Sequence, residues 1–338
     1  MARRILLPGP GDPEVLQLIQ DDVPQPGPGE VRVRILAAGV ARADTMMRRG
    51  EYPGAVPAYP YTPGYDMAGV VDGLGEGVDG LPVGTHVLGV IKTGGYAEYG
   101  CFPAEMLVPF PGTLDPAEVV SLGLNYLTAY QMLHRFAEIA RGGRVLFHAA
   151  ASGVGTAQLQ LGKLLDLEMY GTASTGKHDI VTALGGVPID YRTQDFVTRL
   201  RELSDEGMDA VFDPVGGSHL WRSFRTLRPG GKLIIYGEMA VTGSDAHHRR
   251  EAFWAHNLPR WLNWLPGKRS ATWYEVLDVA KAHPDWYRDD LALLIDLLSQ
   301  GKLAPVIAER FPLAQAAQAH RLLERSAVSG KMILLCDQ

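Results

Sequence analysis

The 338-residue chain contains only two cysteines, Cys101 and Cys336. They stand far apart and without the close spacing of metal ligands, so neither a disulfide framework nor a zinc finger is expected. Long apolar runs are lacking as well. No stretch reaches the ~20 apolar residues that span a bilayer. The start, Met1-Ala2-Arg3-Arg4-Ile5-Leu6-Leu7-Pro8, has two positive charges but too short an apolar segment for a signal peptide. Basic charge is not in excess either. The formal net charge is -6, and no basic cluster suited to a phosphate backbone stands out. These absences argue against a nucleic-acid protein and a membrane span, and the cytoplasm is the expected location. What remains, 46% hydrophobic and 21% charged residues, is the balance of a globular protein of roughly two domains.

Two styles of sequence divide the chain. The first is crowded with glycine and proline and has short alternating runs. Val31-Arg32-Val33-Arg34-Ile35 alternates apolar and charged residues, the pattern of a half-buried strand. Gly69-Val70-Val71 and His86 to Val90 are further strands, divided by turns such as Gly73-Leu74-Gly75-Glu76-Gly77. From Ser121 the style changes. A helix is expected over Ser121 to Arg135, then strands at 144–150, 167–173, 187–191, 209–213 and 232–236. Helices at 155–165, 177–184, 196–203 and 220–227 lie between them. Apolar strands alternating with amphipathic helices predict βαβ units on a parallel sheet, a doubly wound Rossmann core. A helix over Arg288 to Gln300 ends at Gly301, and the last run, Lys331 to Leu335, reads as a strand with no room for a new domain behind it. It is assigned to the first domain. The expected division is 1–120 with 285–338 for the β-rich domain and 121–284 for the Rossmann domain, an α/β chain.

The strand at 144–150 runs into Ala149-Ala150-Ala151-Ser152-Gly153-Val154-Gly155 and then a helix. Small residues there let the backbone approach a pyrophosphate, whose charge a helix N-terminus favours. Ala150 and Ser152 replace two glycines of the usual fingerprint, so the turn alone is also explained by strand–helix packing. A second turn, Asp213-Pro214-Val215-Gly216-Gly217, and Gly237 after the next strand favour the cofactor reading, since ligands sit at the C-terminal ends of such strands. A hydrolase nucleophile elbow at Ser152 is disfavoured, because Ala150 and Val154 stand where that motif needs glycines.

An NAD site places a carboxylate ~20 residues past the glycines, on the ribose 2′-hydroxyl. None occurs between Glu168 and Asp179; Ser174 and Lys177 are there instead. NADP(H) is therefore the expected cofactor, with a solvated lysine opening a helix as the plain alternative.

Further motifs carry a family resemblance. Gly39-Val40 with Asp44, Arg49-Gly50-Glu51-Tyr52-Pro53, Pro63-Gly64-Tyr65-Asp66-Met67-Ala68-Gly69-Val70 and Gly94-Gly95-Tyr96-Ala97-Glu98-Tyr99 resemble the N-terminal domain of medium-chain dehydrogenases/reductases. Leu127-Thr128-Ala129-Tyr130 through His148 to Gly155, and on to Gly216-Gly217, resemble the quinone oxidoreductase branch. Gly171 to Lys177 with Ile189-Asp190-Tyr191 is similar to the vesicle amine transport protein 1 homologues within it. The resemblance implies a GroES-like domain packed against the Rossmann domain, with the nicotinamide between them. It also implies a homodimer.

Departures are as informative. Zinc-dependent relatives have Cys where this chain has Ala41 and Gly-His-Glu where it has Gly64-Tyr65-Asp66, and their four-cysteine lobe is missing. No metal is expected. Hydride transfer to a small electrophilic acceptor, a quinone or an α,β-unsaturated carbonyl, is the implied reaction. The rivals are an NADPH-binding regulatory protein without catalysis and a pathway enoyl reductase. Tyr52 is the first candidate to hydrogen-bond the acceptor oxygen and Tyr65 the second; each is equally explained as a packed aromatic. Asp44 and Asp66 read as structural. Cofactor contacts are expected from Asn125, Thr128, Ala151, Ser152, Gly153, Val154, Gly155, Ser174, Lys177, Tyr191, Asp213, Val215, Gly216 and Gly237. His247-His248 reads as exposed, and Trp254, Trp261, Trp264 and Trp273 as substrate wall, dimer contact or core.

Overall fold

In the computed structural model, which describes residues 1–52, 54–239, 257–264, 268–326 and 328–336, the chain forms two units. Unit 1 comprises Met1–Leu127 and His283–Gln338; unit 2 comprises Thr128–Ala282. Unit 1 begins with the antiparallel pair β1 (Ala2–Leu6) and β2 (Gln17–Asp21). Then come β3 (Glu30–Val40), β4 (Asp66–Leu74), β5 (His86–Val90), β6 (Tyr99–Pro103) and β7 (Leu107–Pro109). The alternation in β3 points Val31, Val33 and Ile35 inward, all fully buried, while the arginines between them stay half-exposed.

Unit 2 carries β8 (Arg144–Phe147), β9 (Glu168–Ala173), β10 (Val187–Asp190), β11 (Met208–Asp213), β12 (Leu227–Ile235) and β13 (Ser270–Trp273). Every adjacent pair is parallel, in the order β10-β9-β8-β11-β12-β13. This is the Rossmann order, and its direction reverses between β8 and β11, where doubly wound sheets open a crevice at their strand ends. Leu146, Ile189, Val211, Leu233 and Ile235 fill the sheet's core with Phe196 and Phe224 from the helices.

The chain then returns to unit 1 through the helix Pro284–Ser299 and the strands β14 (Ile307–Pro312) and β15 (Lys331–Leu335). β15 runs antiparallel to β3 and parallel to β14, in a sheet ordered β14-β15-β3-β4-β5-β7 with β6 also on β3. The last strand thus belongs to the first domain's sheet.

The expected helix over Ser121 to Arg135 is corrected by the structure. It starts earlier, at Pro116, with the Asp115 carboxylate accepting from Ala117 N–H at 3.0 Å. Aspartate before proline is a helix start by capping and by the preset φ of proline. Two wider π-turns, Leu122–Tyr126 and Met132–Phe136, interrupt the helical run.

A buried ion pair ties β15 to the rest of unit 1. Lys331 Nζ lies 2.7 Å from Asp66 Oδ2, and the two side chains are 3% and 0% exposed. The same oxygen accepts from Leu124 N–H at 3.1 Å, so Asp66 also anchors the first π-turn. The pair crosses β3 at Gly39, where any Cβ would collide with Asp66 Oδ1 and Lys331 Cε. Truncating one partner of such a pair leaves an uncompensated buried charge. Lys331→Met is therefore expected to destabilise unit 1 by about 3–5 kcal/mol, and Lys331→Met/Asp66→Leu by less. Denaturation curves in which the double variant is the weaker of the two would overturn this.

Candidate functional site

At the C-terminal end of β8 the chain turns through Ala149, which has φ 52°, into the helix Gly153–Leu164. Ser152 is its N-cap, with Oγ accepting from Gly155 N–H at 3.1 Å. The first N–H groups of a helix have no partner within it, so those of Gly153 and Val154 are available to an anion. Gly155 is buried so tightly that a Cβ would overlap the Ala149 carbonyl. Ala151 is buried and Ser152 half-buried.

The turns after β11 and β12 press together. Gly216 has φ 79°, and a Cβ there would meet Glu238 Cα at 2.9 Å; one on Gly237 would meet the Pro214 carbonyl at the same distance. The cradle therefore excludes side chains where backbone must come close. Val215 is half-buried at its rim.

The Asp213 side chain, expected to touch the cofactor, is fully buried, and Oδ1 accepts from Val215 N–H at 2.7 Å and Gly216 N–H at 3.1 Å. It shapes the turn. Oδ2 accepts from Ser223 Oγ at 2.6 Å and His219 Nδ1 at 2.9 Å. Burial alone would raise this carboxyl, yet these donors and the nearby imidazoles hold it well below the usual range.

Sequence reasoning missed the remainder of this network. His148 Nε2 lies 3.1 Å from Ser223 Oγ and Nδ1 lies 3.0 Å from Thr172 Oγ1. Burial pushes the imidazole down to about 3, so it is neutral. Since Ser223 gives its one proton to Asp213, His148 carries its proton on Nε2 and accepts from Thr172 on Nδ1. Thr172 Oγ1 in turn accepts from Ala149 N–H at 3.2 Å. One chain of hydrogen bonds thus links the ends of β8, β9 and β11. His148, Asp213 and His219 also bring ligand-type atoms within 4.8 Å of one another, but the Ser223 hydroxyl bonds to all three residues. His247-His248 lies outside the described residues.

Beyond β9, Ser174 and Lys177 are half-buried in a short turn. Burial, with the charge of Arg192 nearby, pushes the Lys177 ammonium down. The Asp190 carboxylate bonds Thr175 Oγ1 and, at 2.9 Å, Arg192 N–H. Tyr191 is exposed, with the Arg192 guanidinium 5.8 Å from its ring centroid. Two cations and a phenol ring therefore surround one rim of the sheet. Thr128, in unit 2, is buried at the start of the helix Leu127–Gln131.

Unit 1 supplies the other candidates. Tyr65 is buried, Tyr52 half-buried, and their hydroxyls are 3.4 Å apart. Asn125 is buried in the first π-turn. Asp44 accepts from Ala41 N–H at 2.8 Å and from Tyr96 Oη at 3.1 Å. Burial pushes its carboxyl up to about 7. His320, whose Nε2 is 3.2 Å from Tyr96 Oη, is pushed down to about 3 by burial. Trp254 lies outside the described residues; Trp261 and Trp264 are largely exposed, with ring centroids 6.2 Å apart, and Trp273 is half-buried on β13.

The comparisons with known proteins agree with this architecture. Residues 27–112 match the family described as "Alcohol dehydrogenase GroES-like domain", and 184–334 the one described as "Zinc-binding dehydrogenase". The chain is 34% identical over 318 residues to the "Synaptic vesicle membrane protein VAT-1 homolog" of Rattus norvegicus, covering 92% of this chain and 78% of the relative. It is 30% identical over 331 residues to the Rattus norvegicus "Quinone oxidoreductase", covering 96% and 95%. The structure is similar, with a TM-score of 0.87 and 27% identity, to that of Escherichia coli quinone oxidoreductase complexed with NADPH, over 99% and 100% of the two chains. The class is an oxidoreductase with a GroES-like and a Rossmann domain. The chain belongs to the medium-chain dehydrogenase/reductase superfamily, in the branch of the quinone oxidoreductases and VAT-1 homologues. Among the described residues, no helix is long and apolar enough to cross a membrane.

The neutral state of His148 has a consequence for stability. The unfolded chain binds a proton there below about 6.5, while the folded chain does not until about 3. Its contribution is complete above about 6.5 and is lost as the pH falls through that window. Wild type should therefore lose more stability than His148→Gln between neutral pH and pH ~4. His320 and Asp44, common to both proteins, cancel in the difference. Parallel stability–pH curves from urea denaturation would show that His148 is not held neutral.

Proposed function

We propose that this chain is an NADPH-dependent reductase that transfers hydride, without zinc, to a quinone or an α,β-unsaturated carbonyl. The observation that carries the reading is the glycine cradle at the ends of β8, β11 and β12, beside an open helix N-terminus, with no carboxylate in the sequence between Glu168 and Asp179. NADPH supplies the hydride when bound. Gly153, Val154 and Gly155 approach its pyrophosphate, and Ser174, Lys177 and Tyr191 receive its 2′-phosphate. Asn125 and Thr128 orient the nicotinamide end. The NADPH complex of the Escherichia coli relative supports the cofactor. Ala41 and Tyr65, neither a zinc ligand, support the metal-free mechanism.

Without a metal, the acceptor must already be electrophilic. Tyr52 donates a hydrogen bond to the oxygen on which charge develops, backed by the Tyr65 hydroxyl. The β-carbon takes the hydride, and solvent supplies the proton that completes the reduction. The chain acts as a homodimer, in the reading supported by β13 as an edge strand and by the exposed Trp261 and Trp264.

The test follows NADPH absorbance with quinones and enones, for wild type and Tyr52→Phe. Turnover of at least one acceptor class by wild type is expected. In Tyr52→Phe, kcat should fall with NADPH affinity intact, by at most about 2–4 kcal/mol, as for an oxyanion donor. The loss should be larger for the enone, since a quinone is intrinsically reactive. NADPH binding with no turnover of any acceptor would favour a regulatory protein, and unchanged kcat would leave Tyr52 as wall.

Lys177→Ala tests the cofactor assignment separately. A charge-assisted bond to the 2′-phosphate is worth about 1.5–3 kcal/mol. NADPH should bind roughly ten- to a hundredfold more weakly while NADH is barely affected. Equal losses for both cofactors would make Lys177 structural.

A further inference from the structure

We propose that Lys92 is a specificity-determining residue of the acceptor site, favouring acceptors that carry an anionic group such as a carboxylate, sulfonate or phosphate. The inference rests on the reading that Tyr52 faces the acceptor. Lys92 Nζ stands 5.2 Å from the centroid of the Tyr52 ring. Its position is set by Tyr65, the other member of the hydroxyl pair. The Tyr65 carbonyl accepts from both Ile91 N–H at 2.8 Å and Lys92 N–H at 3.0 Å. These bonds hold Lys92 at φ 70°, a left-handed conformation in which non-glycine residues are uncommon. The turn that presents the lysine and the ring beneath it are thus tied to one residue.

The ring has little freedom to leave. A Cβ on Gly54 would lie 2.7 Å from Tyr52 Cε1, so the following turn passes close against its edge. Lys92 is half-buried, and among the described residues no salt bridge reaches its ammonium. An aromatic face offsets only part of an ammonium's charge. A half-buried cation with no salt-bridge partner among the described residues attracts an anion more strongly than a solvated surface lysine does. An acceptor whose oxygen meets the tyrosine hydroxyls while its anionic group meets Lys92 would use both. A neutral acceptor gains only the first contact.

The test compares a naphthoquinone sulfonate with its unsubstituted parent, using the full-length protein and saturating NADPH. Wild type should show a higher kcat/KM for the sulfonate, and the advantage should shrink as salt is raised. In Lys92→Gln the ratio of the two kcat/KM values should fall about tenfold or more, the worth of one charge-assisted hydrogen bond. Lys92→Glu should invert the preference. If Lys92 only props the Tyr52 ring, both acceptors suffer alike and the ratio stays fixed, which would overturn the assignment. Loss of turnover with both quinones in wild type would instead strike the reductase reading itself. In that case calorimetric binding of naphthalene sulfonate, which cannot be reduced, still decides: tenfold weaker binding to Lys92→Gln sustains the proposal, and equal binding refutes it.

Discussion

A carboxylate at the end of a central strand, with no access to water, has to be satisfied entirely by protein. Asp213 is in that position, and much of unit 2 is arranged to meet its demand. Two turn amides saturate one oxygen, and a serine and a histidine from the following helix saturate the other. An unpaired carboxylate there would carry a penalty of several kcal/mol, large beside the net stability of a domain. The turn conformation follows from that satisfaction. With Val215 and Gly216 N–H pulled back onto Asp213, the loop folds tightly enough for Gly216 and Gly237 to meet backbone to backbone. The same satisfaction fixes the tautomer of His148, which burial keeps neutral against the pull of the Asp213 charge: Ser223 has one proton, and the carboxylate takes it.

Unit 1 solves a different problem with the same means. Its closing strand comes from the far end of the sequence, and loop closure over so long a separation is entropically expensive. The Lys331–Asp66 pair, crossing Gly39, makes that closure specific, because only one register of β15 on β3 brings the ammonium to the carboxylate. A second buried set, Asp44 with Tyr96, His320 and Arg48, fastens the helix Arg42–Arg49 to the helix Ala316–Glu324. Sequence-distant segments are thus joined by groups whose desolvation would be unfavourable in any other arrangement.

Much of the fold was legible in the sequence where a signal was local. His86 to Val90, Phe196 to Leu203 and Lys331 to Leu335 are bounded by turn or capping residues and have the observed limits. β13 was not legible. Ser270–Trp273 is short and half polar, and it is a strand only because β12 offers it an edge. The π-turns at 122–126 and 132–136 leave no mark in apolar periodicity, since the same residues read as one continuous helix. The start at Asp115-Pro116 did carry a readable capping signal. In the candidate site, the small-residue turn and the lysine beyond β9 were readable because each depends on neighbours in sequence. The role of Asp213 was not, because its partners His219 and Ser223 matter only once the turn is folded. His148 was harder still: its partners Thr172 and Ser223 lie 24 and 75 residues away.

The two units therefore differ in how much their candidate residues are free to vary. At the glycine cradle, hydrogen-bond satisfaction and backbone contact leave almost no alternative, because a side chain on Gly155 or a lost partner of Asp213 disturbs several strand ends together. Around Tyr52 the side chains are less buried. Tyr65 is committed through its carbonyl to the Ile91-Lys92 turn, while Tyr52 and Lys92 are half-buried, the lysine over the tyrosine ring and the tyrosine hydroxyl beside that of Tyr65. Under the proposed function, the buried polar centre would hold the cofactor end fixed while the half-buried rim meets the acceptor. If Tyr52 meets the acceptor as proposed, the charge of Lys92 on that rim is where its selectivity would arise.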